Sequence, residues 1–178
     1  MRKKIRSRRI VVDSSVVRSA GTTEHPISKA CRDTLFEILT ICHRVVVTED
    51  ILQEWKKHRS KYATKWVASM YARKKVIRLD IQDDQGFEEA LSICSLDEKS
   101  KLAIRKDLHL LSAALMADEI IISSDEALRN LLRTFCLYAI RVKSIMYANP
   151  TLEQDYVIEW LRNGAVPEKK RRIGTDVE

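Results

Sequence analysis

The chain has 178 residues, 45% of them hydrophobic, which is enough for one domain with a real core and tails and not obviously enough for two. Its 32 Lys and Arg against 25 Asp and Glu leave a net charge of +7, which favours a polyanionic partner such as RNA or DNA, with an anionic membrane surface as the rival. No apolar run approaches the ~18 residues of a spanning helix. The basic start MRKKIRSRR leads into a strand broken at Asp13, where a signal peptide needs ~7 to 15 unbroken apolar residues. The expectation is an intracellular, cytoplasmic protein without a membrane role. Cys31, Cys42, Cys94 and Cys136 lie far apart with no C-x-x-C, so they suggest small core residues rather than a zinc site or a disulfide framework.

In chain order, RIVVD reads as a strand, ISKACRDTLFEILTICH as a helix, RVVVT as a strand and EDILQEWKKH as a helix. A second helical segment, KYATKWVASMYARKK, leads to the strand-like VIRLDI. After QGFEEALSIC comes a long helix from about Leu96, where Ser95 and Glu98 form a capping box. Then follow the strand EIIIS, the helix DEALRNLLRTFC and a last strand around AIRVKSI. Strands separated by helices of this length call for right-handed crossovers and a parallel sheet covered on both faces. The fold class is α/β, a three-layer α/β/α arrangement with a central parallel sheet. Beyond Pro150, residues 149–163 hold one more helix, and residues 164–178, GAVPEKKRRIGTDVE, have the charge and breakers of a disordered tail.

In an open parallel sheet, side chains that act on a ligand lie beyond the carboxyl ends of the strands. Asp13 lies at such an end, and Asp125 follows a second one after Ser123 and Ser124. Each also has a structural reading as the N-cap of the next helix. Asp107 has no such reading, because it falls mid-helix with Ala103, Ile104, Leu110 and Leu111 three and four residues away. A carboxylate on that face costs several kcal/mol unless an Arg or a cation compensates it. Glu54 stands one turn beyond Asp50, at the border of the stripe made by Ile51, Leu52 and Trp55. Thr48 caps its helix, and Glu49 and Asp50 suit the first turn. Taken alone, Glu54 fits a solvated or Lys-paired role better than that of a ligand, and its claim rests on the other acids.

The order of these acids, with IVVDSSVV, VTEDILQEW and KDLHLLSAALMADEIIISSDEALRNLL around them, resembles PIN-domain nucleases over roughly residues 8–146. The resemblance implies a PIN-like nuclease domain over residues 1–148, with Asp13, Glu54, Asp107 and Asp125 as catalytic and metal-binding positions and Ser14 and Ser123 in support. It implies a structural role for Asp118, pairing of two copies through helices beside the groove (with WVASMY and YVIEWL as apolar surfaces), and a toxin-like or RNA-processing activity. The first of these activities would bring an antitoxin-like protein inhibitor as partner. The insertion around KYATKWVASMYARKK and the C-terminal helix and tail exceed the compact members.

The chemistry points the same way without the name. Four carboxylates on one edge repel one another unless a divalent cation neutralises them, and hard oxygen ligands select Mg²⁺ or Mn²⁺. Such a site hydrolyses phosphodiesters with one ion or two, and needs no histidine as base; His43, His58 and His109 fit surface or core roles on helices, and His25 lies in a Pro-flanked loop. The substrate is held by Lys and Arg on the rim, for which EWKKHRSKYATKWVASMYARKK is the richest source. The tryptophans there have core spacing. The KKRR run is either a nucleic-acid arm or a solvated tail. Two other classes stay open: a non-catalytic module of this fold that binds RNA or protein, and a phosphatase or receiver-type domain, against which stand the missing D-x-D and phosphate loop. Ribosomal, transfer or messenger RNA and structured DNA would all need the same acids.

Overall fold

Short β-branched runs become strands in the computed structural model, which describes residues 6–82 and 85–175. β1 (Arg9–Val12), β2 (Arg44–Val47), β3 (Val76–Arg78), β4 (Ile120–Ile122) and β5 (Met146–Ala148) form one all-parallel sheet in the order β3-β2-β1-β4-β5. The register sets Arg9 beside Arg44, Val45 beside Val76, Val11 beside Ile121 and Ile121 beside Tyr147. Apart from the leading Arg9 and Arg44, every residue of β1, β2, β4 and β5 is buried. Helices on both faces demand this, and it explains why the strands read as unbroken apolar runs instead of alternating ones.

Eight α-helices occur among the described residues: α1 (Ser14–Ser19), α2 (Pro26–Thr40), α3 (Glu49–His58), α4 (Lys61–Ala72), α5 (Gln85–Ile93), α6 (Glu98–Leu115), α7 (Glu126–Phe135) and α8 (Gln154–Arg162). α1 packs on α2 and α3, and α2 on α4 and α8, while α6 packs on α5 and α7 and crosses β1, β2 and β4. These two sets make the outer layers of a three-layer α/β/α domain, as the sequence predicts. The chain passes from β1 to β2 on one side and returns past β1 to β4 on the other. That reversal opens a crevice between the carboxyl ends of β1 and β4. No helix among the described residues is long and apolar enough to cross a membrane.

Both tryptophans of α3 and α4 are core residues. Trp55 donates from Nε1 to the Val12 carbonyl at 3.0 Å, Trp66 to the Leu35 carbonyl at 2.6 Å, and their rings lie 5.7 Å apart. The Trp55 bond ties α3 to the end of β1, one residue before Asp13. Half of WVASMY and YVIEWL is likewise buried in the chain's own core: Trp66, Val67, Met70, Val157, Trp160 and Leu161. Cys31, Cys94 and Cys136 are buried, as core residues should be, whereas Cys42 is exposed.

Three local expectations are corrected. AIRVKSI is no strand: Ile140–Ser144 is a 3₁₀ turn, and the last strand is the next segment, Met146–Ala148. Ala139, Val142 and Ile145 are the buried residues of that stretch, and a spacing of three is the period of a 3₁₀ turn. The cap of α6 is Asp97, which accepts from the Ser100 amide at 2.9 Å, and not Ser95. The expected disordered tail is folded as far as Thr175; residues 176–178 lie outside the described residues. Lys169–Arg171 form a 3₁₀ turn, Arg172 pairs antiparallel with Met146, and Ile173, 1% exposed, donates its amide to the Ile145 carbonyl at 2.9 Å. One buried isoleucine and the contacts of Arg171 outweigh the polar composition. That arginine stacks over Tyr156 and pairs with Glu153 and Glu168.

Candidate functional site

Asp13 ends β1, and its amide continues the ladder by donating to the Ile122 carbonyl at 2.9 Å. It occupies the N-cap position of α1, yet its carboxylate caps nothing. Instead Oδ2 accepts from Ser15 Oγ at 2.5 Å and Ser123 Oγ at 2.7 Å, and Oδ1 from Ser14 Oγ at a longer 3.3 Å. The two strong donors are themselves anchored, since Ser15 Oγ accepts from the Ser124 amide at 3.1 Å and Ser123 Oγ from the Asp125 amide at 3.0 Å. With both hydroxyl protons aimed at Asp13, the 3.3 Å approach of Ser15 Oγ to Ser123 Oγ has no proton left to share. The result is a buried carboxylate, 5% exposed, held by a hydroxyl pair that also shapes the β4–α7 turn. The resemblance implies Ser14 and Ser123 in support; the tighter partner is Ser15, which the helical start of α1 turns inward.

Asp125 keeps the cap role open to it in the sequence. Its Oδ1 accepts from the Leu128 amide at 2.8 Å, which leaves Oδ2 without a hydrogen bond among the described residues. Tyr147 of β5, fully buried, donates from its hydroxyl to the Asp125 carbonyl at 2.7 Å and so fixes the same turn from beneath. Burial first of all, and the charges of Asp13, Asp125 and Glu126 with it, push the Tyr147 phenol upward against the opposing effect of the Ser123 bond. It therefore serves as a donor. No sequence pattern marks it, because the β-branched AIRVKSI before it reads as the strand.

Asp107 is half-buried on α6 and has no Arg or Lys partner among the described residues. The structural ion pair considered from sequence is thus absent among them: Arg105 pairs with Glu88 and Lys101 with Glu98. Burial, then the charges of Asp13 and Glu54 and more weakly of Asp125, push the Asp107 carboxyl up to about 7 against the pull of His109. All three other acids are therefore within its electrostatic reach. Glu54 of α3 faces α6, with Oε2 3.4 Å from His109 Nε2. That is close enough for an ion pair, but too poorly aligned to satisfy the buried nitrogen, which has no formed hydrogen bond. Burial lowers the affinity of His109 for a proton. The contact with Glu54 and the charges of Glu54, Asp107 and Asp50 together outweigh this and raise it. A surface or core role was the expectation for this histidine; it lies instead among the acids.

A cavity of about 580 Å³ opens beside these residues, lined among others by Thr48, Glu54, Lys57, Lys106, His109 and Ser112. It reaches Glu54, though not Asp13, Asp107 or Asp125. Among the described residues no three His, Cys, Asp or Glu side chains are gathered tightly enough to hold a metal ion. In kind the donors suit a hard cation: oxygen atoms dominate the edge, and Asp107 has no Arg or Lys partner among the described residues. As they stand, the side chains share a field and do not enclose an ion.

Asp118, by contrast, belongs to the opposite end of the sheet and has a structural task. It accepts from the Arg9 amide at 2.8 Å and pairs with the Arg9 guanidinium at 2.9 Å, and burial notwithstanding, these bonds hold its carboxyl below the usual range. Compared with protein-family models and with curated proteins, the chain matches none.

Proposed function

We propose that the chain is a divalent-metal-dependent nuclease that hydrolyses phosphodiester bonds, with single-stranded or unpaired RNA as its substrate. The observation that carries this reading is Asp107: a half-buried carboxylate without a cationic partner among the described residues, raised to about 7 by burial and by Asp13, Glu54 and Asp125. Such a charge arrangement is costly by itself and becomes favourable when a cation is shared. Asp13, Asp107 and Asp125 are the holding residues, with Glu54 as the fourth. A Mg²⁺ or Mn²⁺ ion bound there supplies charge neutralisation at the phosphate and activation of water. The protein's own part is orientation. Ser15 and Ser123 fix Asp13 through Oδ2 and leave Oδ1 the less engaged oxygen, and the cap of α7 leaves Asp125 Oδ2 open. Lys57 and Lys106, exposed on the cavity rim, suit the flanking phosphates.

The test is cleavage of a panel of single-stranded, structured and duplex RNA and DNA with Mg²⁺ or Mn²⁺, by wild type and by Asp13→Asn. Metal-dependent cutting by wild type alone supports the reading. No cutting of any substrate, together with Mn²⁺ binding that ignores Asp13, defeats it and leaves a non-catalytic binding module.

A further inference from the structure

At the other end of the sheet, the residues before β5 and the C-terminal strap enclose a second open cavity, of about 770 Å³. Its wall carries Arg141, Lys143, Lys169, Lys170 and Arg172 and no carboxylate. The strap divides its cations between two tasks. Arg171 turns inward and is consumed by Tyr156, Glu153 and Glu168, whereas its neighbours Lys169, Lys170 and Arg172 line the cavity. Lys170 approaches Glu168 at 3.5 Å, and Lys143, Lys169 and Arg172 have no ion pair among the described residues. Arg172 Nε is buried there without a hydrogen-bond partner.

The wall is built and not a loose arm. Ile173 anchors the strap in the core, the Gly174 amide donates to the Lys143 carbonyl at 3.2 Å, and Thr175 Oγ1 bonds the Lys169 carbonyl. At Gly174 the two segments touch so closely that an added Cβ would stand 2.6 Å from Lys143 Cβ and 3.0 Å from its Cα. A residue with a side chain there has to lift the strap away. Like charges gathered on one wall that no carboxylate lines repel unless anions join them, and a buried guanidinium nitrogen lacking an acceptor asks for one.

We propose that this cavity is a phosphate-binding site for the backbone of a nucleic acid, separate from the acidic edge. The proposal rests on the nucleic-acid reading above. Because all strands are parallel, the acids lie at carboxyl ends and this cavity at the amino end of β5. It therefore engages nucleotides outside the position of cleavage, and serves affinity and orientation instead of chemistry.

The experiment is fluorescence-anisotropy binding of a labelled single-stranded RNA to the full chain in EDTA, titrated over about 50 to 200 mM salt. Lys143→Gln with Lys169→Gln is expected to weaken binding about tenfold at the lowest salt and to reduce the log–log salt slope by about 1.4, or ~0.7 per lost phosphate contact. A control pair, Arg18→Gln on α1 with Lys99→Gln on α6, removes the same charge from exposed positions outside the cavity and should change affinity far less. Gly174→Ala leaves every charge in place and should weaken binding several-fold by unseating the strap. Unchanged affinity and slope in the first pair, an equal loss in the control pair, or wild-type binding by Gly174→Ala would each overturn the assignment. So would an effect confined to phosphatidylserine vesicles, with RNA binding intact. Since nothing is cut in EDTA, failure here and failure of the cleavage assay are read separately.

Discussion

At the carboxyl end of the sheet, Asp13, Glu54, Asp107 and Asp125 share one field, and the histidine among them, His109, gains affinity for a proton. At the amino end His43, fully buried, behaves in the opposite way. Burial above all, with Lys75 and Arg8 adding to it, holds His43 below its ordinary value, although its bond to Leu161 resists. Its Nδ1 accepts from the Arg8 amide at 3.1 Å, so the proton must sit on Nε2, which faces the Leu161 carbonyl at 2.9 Å. The same contrast runs along the strands. Arg9, Arg44, Lys75 and Lys143 stand at or before the starts of β1, β2, β3 and β5, while Asp13, Asp50, Asp80 and Asp125 follow the ends of β1, β2, β3 and β4. The exceptions, Asp118 and Glu119 before β4, are engaged, the first by Arg9 and the second by the Ser144 hydroxyl at 2.9 Å. One sheet thus separates charge along its strand axis: the acid end is suited to cations and chemistry, the basic end to polyanions and binding.

The severest way to break this comparison is to remove an acid. Asp13→Asn should lower metal-dependent cleavage by roughly 10³-fold, several kcal/mol of lost charge stabilisation, while circular dichroism stays that of wild type. Retained activity would sever the acid end from catalysis. A second change attacks the support of that acid. Ser123→Ala takes a donor from Asp13 and an acceptor from the Asp125 amide, and should reduce stability in urea by about 1 to 3 kcal/mol.

The third acts through protonation. The folded-state Asp107 is raised to about 7 from 3.8, so the folded state holds this proton more tightly than the unfolded chain. Stability is fully present below about pH 4 and is lost as pH rises towards 7. Asp107→Asn should then stabilise the metal-free protein at pH 8 by about 1 to 3 kcal/mol and change little at pH 4, as melting in EDTA will show. Mg²⁺ should raise the melting temperature of wild type at pH 8 more than that of the variant. The smallest effect is at the basic end. Because the folded His43 lies below its unfolded value, its contribution is present above about pH 6.5 and lost as pH falls below that. Replacing His43 with Gln should flatten that acid limb, at some cost in packing, and leave the Asp107 limb unchanged.

Much of this polarity is legible in the sequence, since RIVVD and RVVVTED each print a cation, a buried strand and an acid in order. Asp107 is also readable, as a carboxylate on the apolar stripe of a long helix. What the sequence hides depends on distant pairing. Nothing in DSS says that Ser15, and not Ser14, turns towards Asp13, because that depends on where α1 begins. The β-branched residues of AIRVKSI suit either a strand or a 3₁₀ turn, and only their buried spacing of three distinguishes the two. The strap is hidden most deeply: its polar composition argues for disorder, and its order comes from Ile173 reaching Ile145 and Arg171 reaching Tyr156.

The bond from Ser123 Oγ to Asp13 Oδ2 joins residues 110 positions apart, and it closes only when β4 docks beside β1, the strand that stands mid-sheet. Contacts of such long range form late, because closing the loop between them must come first. During synthesis, β1, β2 and β3 can pair as soon as they emerge, yet Asp13 stays without its hydroxyl pair until the chain has passed Asp125. The acidic edge is therefore a product of completed folding, and hydrogen exchange at the Asp13 and Ser123 amides should report its opening as one event.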